Sequence, residues 1–246
     1  MPSFTSLLKA SALVLISSHL TAAAPYWIRP TPIEDLVLPT TNTSMCIIST
    51  RFQTSRTDQS LPGATLPTTT LSLVYVAIGR GIQNYSCASV GAAPVAVGAI
   101  ATLYDATPLA EWSMDVLNSI PGSAVNDAPP AAGQDYTLPA PANDLALLGH
   151  HYFAADGTPT FDLTSVSKLL YGSKNGDIKA PANAPEGPAG TGAVDWLSLV
   201  AKASYDASIG LGQVYRVETA GGSAPASCTS TDLITVQYSA EYWFYA

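Results

Sequence analysis

The stretch Leu71-Ser-Leu-Val-Tyr-Val-Ala-Ile-Gly-Arg-Gly-Ile-Gln-Asn-Tyr-Ser-Cys87 decides what kind of molecule this is. Its first half is rich in β-branched and aromatic residues, which suit a pleated surface. Gly79-x-Gly81 follows, and Ile82 to Cys87 then return to residues that prefer strand. Two short β runs around a Gly-x-Gly turn read as a hairpin. A glycine pair after an apolar strand also opens a dinucleotide-binding unit. That chemistry needs a helix starting at the second glycine, whose free amides face a pyrophosphate. Here Ile82, Tyr85 and Cys87 favour strand, and Asn84 stands where a third glycine belongs. No acidic residue ends a second strand at the required spacing, since Ile100 to Leu103 is the nearest candidate and Asp105 lies beyond it. The backbone is expected to stay extended after Gly81, and a nucleotide-dependent dehydrogenase is rejected.

Outward from that stretch, strand signals recur at Val95 to Tyr104, His150 to Phe153, Thr160 to Leu163, Val194 to Ala203, Gln213 to Thr219 and Ile234 to Tyr245. In the last, Val236, Tyr238, Tyr242 and Phe244 share one face, with Gln237, Ser239 and Glu241 opposite, the alternation of a half-buried strand. Glu111 to Ile120 places Trp112, Val116 and Ile120 four apart, predicting one short amphipathic helix stopped by Pro121. Pro- and Gly-rich loops follow this helix and fill Ala180 to Gly192. About eight strands with one helix predict an all-β, single-domain β-sandwich or barrel with one short helical insertion.

The N-terminus reads as an export signal over residues 1–23. Lys9 is its only charge, Ala10 to Ile16 form a short apolar run, and Thr21 to Ala24 supply small residues for cleavage after Ala23. That run falls well short of the roughly 20 apolar residues that span a bilayer. Residues 24–65 form a Pro/Thr-rich arm in which only Met45 to Phe52 could be a strand, and residues 66–246 form the β domain. The expected product is a secreted, extracellular, monomeric protein.

The chain of 246 residues carries a formal charge of −8, which becomes −9 when Lys9 leaves with the signal. Such a chain repels nucleic acid and anionic lipid, and no basic stripe offsets this. A hydrophobic content of 47% argues against disorder over most of the length. No cofactor motif is present, and none is expected.

Export makes disulfides permissible, and Cys46, Cys87 and Cys228 allow one bridge in three pairings. Cys87–Cys228 is favoured, because both lie in the β domain, leaving Cys46 as an odd thiol. A closed loop of about 140 residues is worth roughly 4 to 5 kcal/mol in the chain-entropy treatment. Two glycosylation sequons occur, Asn42-Thr-Ser44 in the arm and Asn84-Tyr-Ser86 near the expected turn.

His150-His151-Tyr152 is the only histidine cluster outside the signal. Adjacent strand residues point to opposite faces, so the two cannot grip one ion, and no metal site is expected. A serine-nucleophile elbow is absent. Any two of Asp105, Asp162, Asp195, Glu218 and Glu241 could meet as a carboxylate pair for glycoside cleavage, but nothing singles out a pair. Asp195-Trp196 and Tyr215-Arg216 read as strand residues, with the Asp195 carboxylate and Arg216 guanidinium paired across the sheet. A sugar-binding face would use exposed aromatics such as Trp243 or Tyr245. The candidate ligand-binding set is His151, Tyr152, Asp105, Asp195 and Arg216.

Several segments occur together in one order: Leu73 to Cys87, Ala101-Thr-Leu-Tyr-Asp105, Leu148-Gly-x-His-Tyr-Phe153, Ala193-Val-Asp-Trp-Leu197, Val214 to Gly222, Pro225-Ala-Ser-Cys228 and Tyr238-x-Ala-x-Tyr-Trp-Phe-Tyr245. In series they resemble the domain of unknown function 3455 family of exported fungal and bacterial proteins. The resemblance covers roughly residues 66 to 245. It implies export and carries over no activity. The malate dehydrogenase label that fungal members often bear has no support in these residues. Fungal relatives frequently place a cysteine just after the aspartate matching Asp105, whereas this chain has Asp105-Ala-Thr-Pro108. That departure fits a Cys46 without a partner.

Three functions stay open: a secreted protein binding a glycan, a cell-wall component or a small polar ligand at the cell surface or in the environment; a secreted hydrolase using carboxylates; and a structural surface protein. The first leads, with catalysis the less favoured alternative.

Overall fold

The computed structural model describes residues 65–203 and 207–246, together with Pro32, Ile33, Leu36, Leu38 and Pro39. The export signal, Asn42, Cys46 and the expected strand at 45–52 lie outside the described residues.

Among the described residues eight strands form one sheet: β1 (Leu73–Ser86), β2 (Val95–Asp105), β3 (Leu147–Phe153), β4 (Pro159–Leu163), β5 (Lys168–Ile178), β6 (Trp196–Ala201), β7 (Gln213–Gly221) and β8 (Ile234–Tyr245). Each pairs antiparallel with the next, and β8 pairs with β1, so the sheet closes into a barrel. The choice left open between sandwich and barrel is thereby resolved. Two helices, α1 (Thr107–Trp112) and α2 (Met114–Ala124), lie between β2 and β3.

Two apolar clusters hold the molecule together. One fills the barrel, with Leu103, Phe161, Leu170, Val214, Tyr242 and Phe244 among its members. The other lies outside the wall, where Val76, Ile78, Trp196, Val217 and Trp243 meet Leu117 and Ile120 of α2. Leu36, Leu38 and Leu66 pack against this outer cluster. The second cluster corrects the reading of β8 as half-buried. Ser239, Glu241 and Trp243 on its outer face are fully buried, because the helical insertion covers them. Trp243 and Tyr245 are for the same reason not an exposed aromatic face.

The Gly79-Arg80-Gly81 segment is not a hairpin turn but the middle of one 14-residue strand. Both glycines are there for space. A methyl group on Gly79 would overlap the Tyr242 ring and stand 2.9 Å from Leu103 Cδ2, and one on Gly81 would overlap the Ile100 carbonyl, 2.7 Å from Ala101 Cα. Arg80 between them faces outward yet is buried. Its Nη1 donates to the Thr137 carbonyl at 2.9 Å, and its Nη2 donates to the carbonyls of Asp127 and Ala128. The guanidinium thus fastens the 125–137 loop to the barrel wall.

The helical insertion also differs in detail. Ser113 caps α2, its Oγ accepting the Val116 amide at 3.3 Å. The face turned inward is Leu117, Ile120, Pro121 and Ala124, while Trp112 is exposed. Pro121 does not stop the helix, which runs on to Ala124. Burial of the proline ring against the barrel offsets the lost amide bond. The strand β5 has no counterpart in the sequence reading, since Gly172, Gly176 and its run of exposed polar residues mask the pattern.

Candidate functional site

The bridge Cys87–Cys228 is present, with Cα atoms 5.8 Å apart and a sequence separation of 141. It ties the end of β1 to the segment before β8. Asn84 of the second sequon sits inside β1, paired on both sides with Gly98 and Thr235, rather than beside a turn.

Of the candidate ligand-binding residues, the structure brings two into the barrel and leaves three elsewhere. His151 is buried, its ring stacked on Phe161 at 4.2 Å and its Nδ1 2.8 Å from the Thr160 carbonyl. Burial pushes its pKa down to about 4, so the ring is neutral. Arg216 lies across from Tyr242, a member of the interior cluster, and therefore faces inward. Its Nη2 donates to the main-chain carbonyl of Asp195 at 2.9 Å. The expected pairing of side chains does not occur, because the Asp195 carboxylate accepts from Lys179 Nζ at 3.0 and 3.1 Å. Asp105 Oδ1 accepts the Thr107 amide at 2.9 Å and starts α1. Tyr152 is on the outer face of β3, partly exposed. These five residues form no common site.

A cavity of about 400 Å³ lies instead on the outside of the wall. Asn118, Pro121 and Gly122 of α2 form one side, Pro181, Asn183 and Pro185 of the proline-rich loop another, and Trp196, Glu218 and Thr219 the floor. The loop is pinned by the Gly221 amide, which donates to the Pro185 carbonyl at 2.7 Å, while Thr219 Oγ1 donates to the Val194 carbonyl at 2.6 Å.

The floor is irregular at Glu218. Val217 lies across from Glu241 and Ala220 across from Ser239, so β7 carries one residue more than β8 over this interval. Such a bulge re-aims side chains and is a recurrent feature beside functional sites. Glu218 takes a φ of 43°, left-handed backbone that costs a non-glycine residue on the order of 1 kcal/mol or more.

Three chemical features meet here. Burial pushes the Glu218 carboxyl pKa above its usual range. Trp196 is buried, and its Nε1–H has no acceptor among the described residues. Behind Asn118, Glu241 is enclosed, and burial raises its pKa to about 8, with the Glu218 charge adding to the rise. Trp243 Nε1 donates to one Glu241 oxygen at 2.8 Å. The Asn118 amide, in the orientation its neighbours require, donates to the other at 2.9 Å. Of the five carboxylates named from the sequence, Glu218 and Glu241 are thus neighbours, but only Glu218 lines the cavity. Among the described residues no arginine or lysine lines it. Among the described residues no group of three or more His, Cys, Asp or Glu side chains could hold a metal ion.

Sequence reasoning named Glu218 among several carboxylates and took Trp196 for a plain strand residue. Asn118 and Asn183 gave no signal. The one local hint is Glu218-Thr-Ala-Gly-Gly222, where glycines crowd the end of a strand.

The family described as Protein of unknown function (DUF3455) matches residues 67–246. No curated protein and no solved structure matches the chain.

Proposed function

The chain belongs to the DUF3455 family of proteins of unknown function, and from that premise we propose that it is a secreted binding protein for a small polar, hydroxylated ligand such as a short glycan. The ligand occupies the cavity between α2, the 181–185 loop and β7. The observation that carries this reading is Glu218, set by a left-handed bulge on the wall of a cavity in which the unpaired Trp196 N–H is enclosed just beneath the surface. A buried donor without a partner costs about 1 to 3 kcal/mol, and a ligand oxygen that displaces the atoms covering it would relieve that cost. The volume lies within the range of small-molecule sites. Asn118, Ser119, Asn183 and Thr219 add further polar groups of the kind that orient hydroxyls.

Extracellular placement rests on the export signal of residues 1–23 and on the Cys87–Cys228 bridge, which favours an oxidising compartment. No helix among the described residues is long and apolar enough to cross a membrane. The hydrolase alternative needs two carboxyls that reach one substrate. Glu241, enclosed and bonded at both oxygens, is poorly placed for that role.

The test is a glycan and polysaccharide array on the mature protein, with a hydrolysis assay alongside. Binding that Trp196→Phe weakens without loss of fold supports the reading. An array silent for a folded protein would remove it, and product release that depends on Glu241 would move the assignment to catalysis.

A further inference from the structure

Resting on the binding reading above, we propose that the ligand carries a protonated amine, placed against the Glu218 carboxylate, so that the cavity takes an amino sugar or another hydroxylated primary amine. Among the described residues, Glu218 is the only charged side chain on the wall. It forms no ion pair and accepts no hydrogen bond among the described residues, although its side chain is partly withdrawn from water. A carboxylate in that position is unfavourable until a cation meets it, and an ammonium does so with short, charge-assisted hydrogen bonds.

The backbone supports the same conclusion. The extra residue in β7 and the left-handed φ of Glu218 both fall at the one position that brings a carboxylate to the cavity. Strain of this kind persists where the surrounding structure holds it in place, and it clusters at ligand-binding positions.

The charge is matched to a single ammonium. Glu241 is held in its protonated form up to about pH 8, so at neutral pH Glu218 alone supplies the negative charge of the pair. One carboxylate does not make a site for calcium, which takes six to eight oxygens, or for any other divalent ion. A chain with a net charge of −8 and no basic side chain on the cavity wall disfavours anionic ligands over the approach as well as at the site. The enclosed Trp196 N–H becomes a donor to a hydroxyl oxygen of the same ligand once its cover shifts, and the prolines on either side limit solvent around the ion pair.

The experiment uses the whole chain and three probes that share one ring: glucosamine, N-acetylglucosamine and glucose, each titrated by calorimetry or by ligand-observed nuclear magnetic resonance at pH 6. The wild type is expected to bind glucosamine about tenfold or more tightly than the other two, the scale of one charge-assisted contact. Glu218→Gln should bring the three together, whereas Trp196→Phe should weaken all three alike. Equal binding of glucose and glucosamine by the wild type overturns the amine and leaves the binding reading standing. Failure of all three to bind overturns the amine as well, and the array then decides the broader reading by itself. Should Glu218→Gln fail to fold, the ranking of the three probes on the wild type decides the matter alone.

Discussion

Trp243 donates its indole N–H to the carboxyl of Glu241 at 2.8 Å, two positions away on the same outward face of β8. Even so, burial dominates and raises the Glu241 pKa to about 8 from the usual 4.5. The folded protein therefore keeps a proton that the unfolded chain releases, and stability falls as pH rises between those two values. The slope approaches about 1.4 kcal/mol per pH unit. Burial shifts Glu218 in the same direction, which adds to the decline. Thermal unfolding from pH 4 to pH 9 should show Glu241→Gln gaining on the wild type between about pH 4.5 and 8 and levelling off beyond. Parallel profiles for the two proteins would contradict the assignment.

Trp196 offers a separation of fold from binding. Phenylalanine keeps most of its packing in the outer cluster and removes the N–H that has no acceptor. Trp196→Phe is expected to change stability by less than about 1.5 kcal/mol, because lost contact area and relief of the buried donor oppose each other. Affinity for a hydroxylated ligand should drop several-fold in the same variant. A large loss of stability with unchanged affinity would assign the indole to packing alone.

Arg80 fastens a loop. Replacing it with methionine leaves the carbonyls of Asp127, Ala128 and Thr137 without their donor. Hydrogen bonds from a charged group contribute about 1.5 to 3 kcal/mol, so Arg80→Met should cost about 2 to 4 kcal/mol. Limited proteolysis should then cut between residues 125 and 137 while the barrel survives. Resistance equal to that of the wild type would show that the loop is held by other contacts.

The bridge between Cys87 and Cys228 spans 141 positions, a long loop to release in the unfolded state. The double variant Cys87→Ser with Cys228→Ser is expected to lose about 4 to 5 kcal/mol. Denaturant unfolding measures this directly, and non-reducing peptide mapping should recover the linked pair from the wild type. A linked peptide containing Cys46 would be the contrary result.

The strand content was legible in sequence because β-branched and aromatic runs with a two-residue period leave few alternatives. Ile234 to Tyr245 is the clearest example. Its polar outer positions were misjudged, since Glu241 and Ser239 look solvated until a helix from a distant segment covers them. Gly79 and Gly81 were misplaced for a related reason. A glycine that makes room for the Tyr242 ring cannot be told locally from one that turns the chain. The cavity was less legible still. Its walls come from α2, the 181–185 loop, β6 and β7, so no spacing in the sequence records their meeting. In the sequence Glu218 is only one of several carboxylates, and its left-handed backbone, the feature that distinguishes it, has no one-dimensional signature.

Return of β8 to β1 has a consequence for the behaviour of the protein in bulk. A chain this rich in valine, isoleucine and tyrosine would, as an open sheet, offer a row of free peptide groups on which a second copy could template. The seam between first and last strands removes that row. Protection of those peptide groups therefore depends on one join, and it lasts as long as those two strands stay zipped.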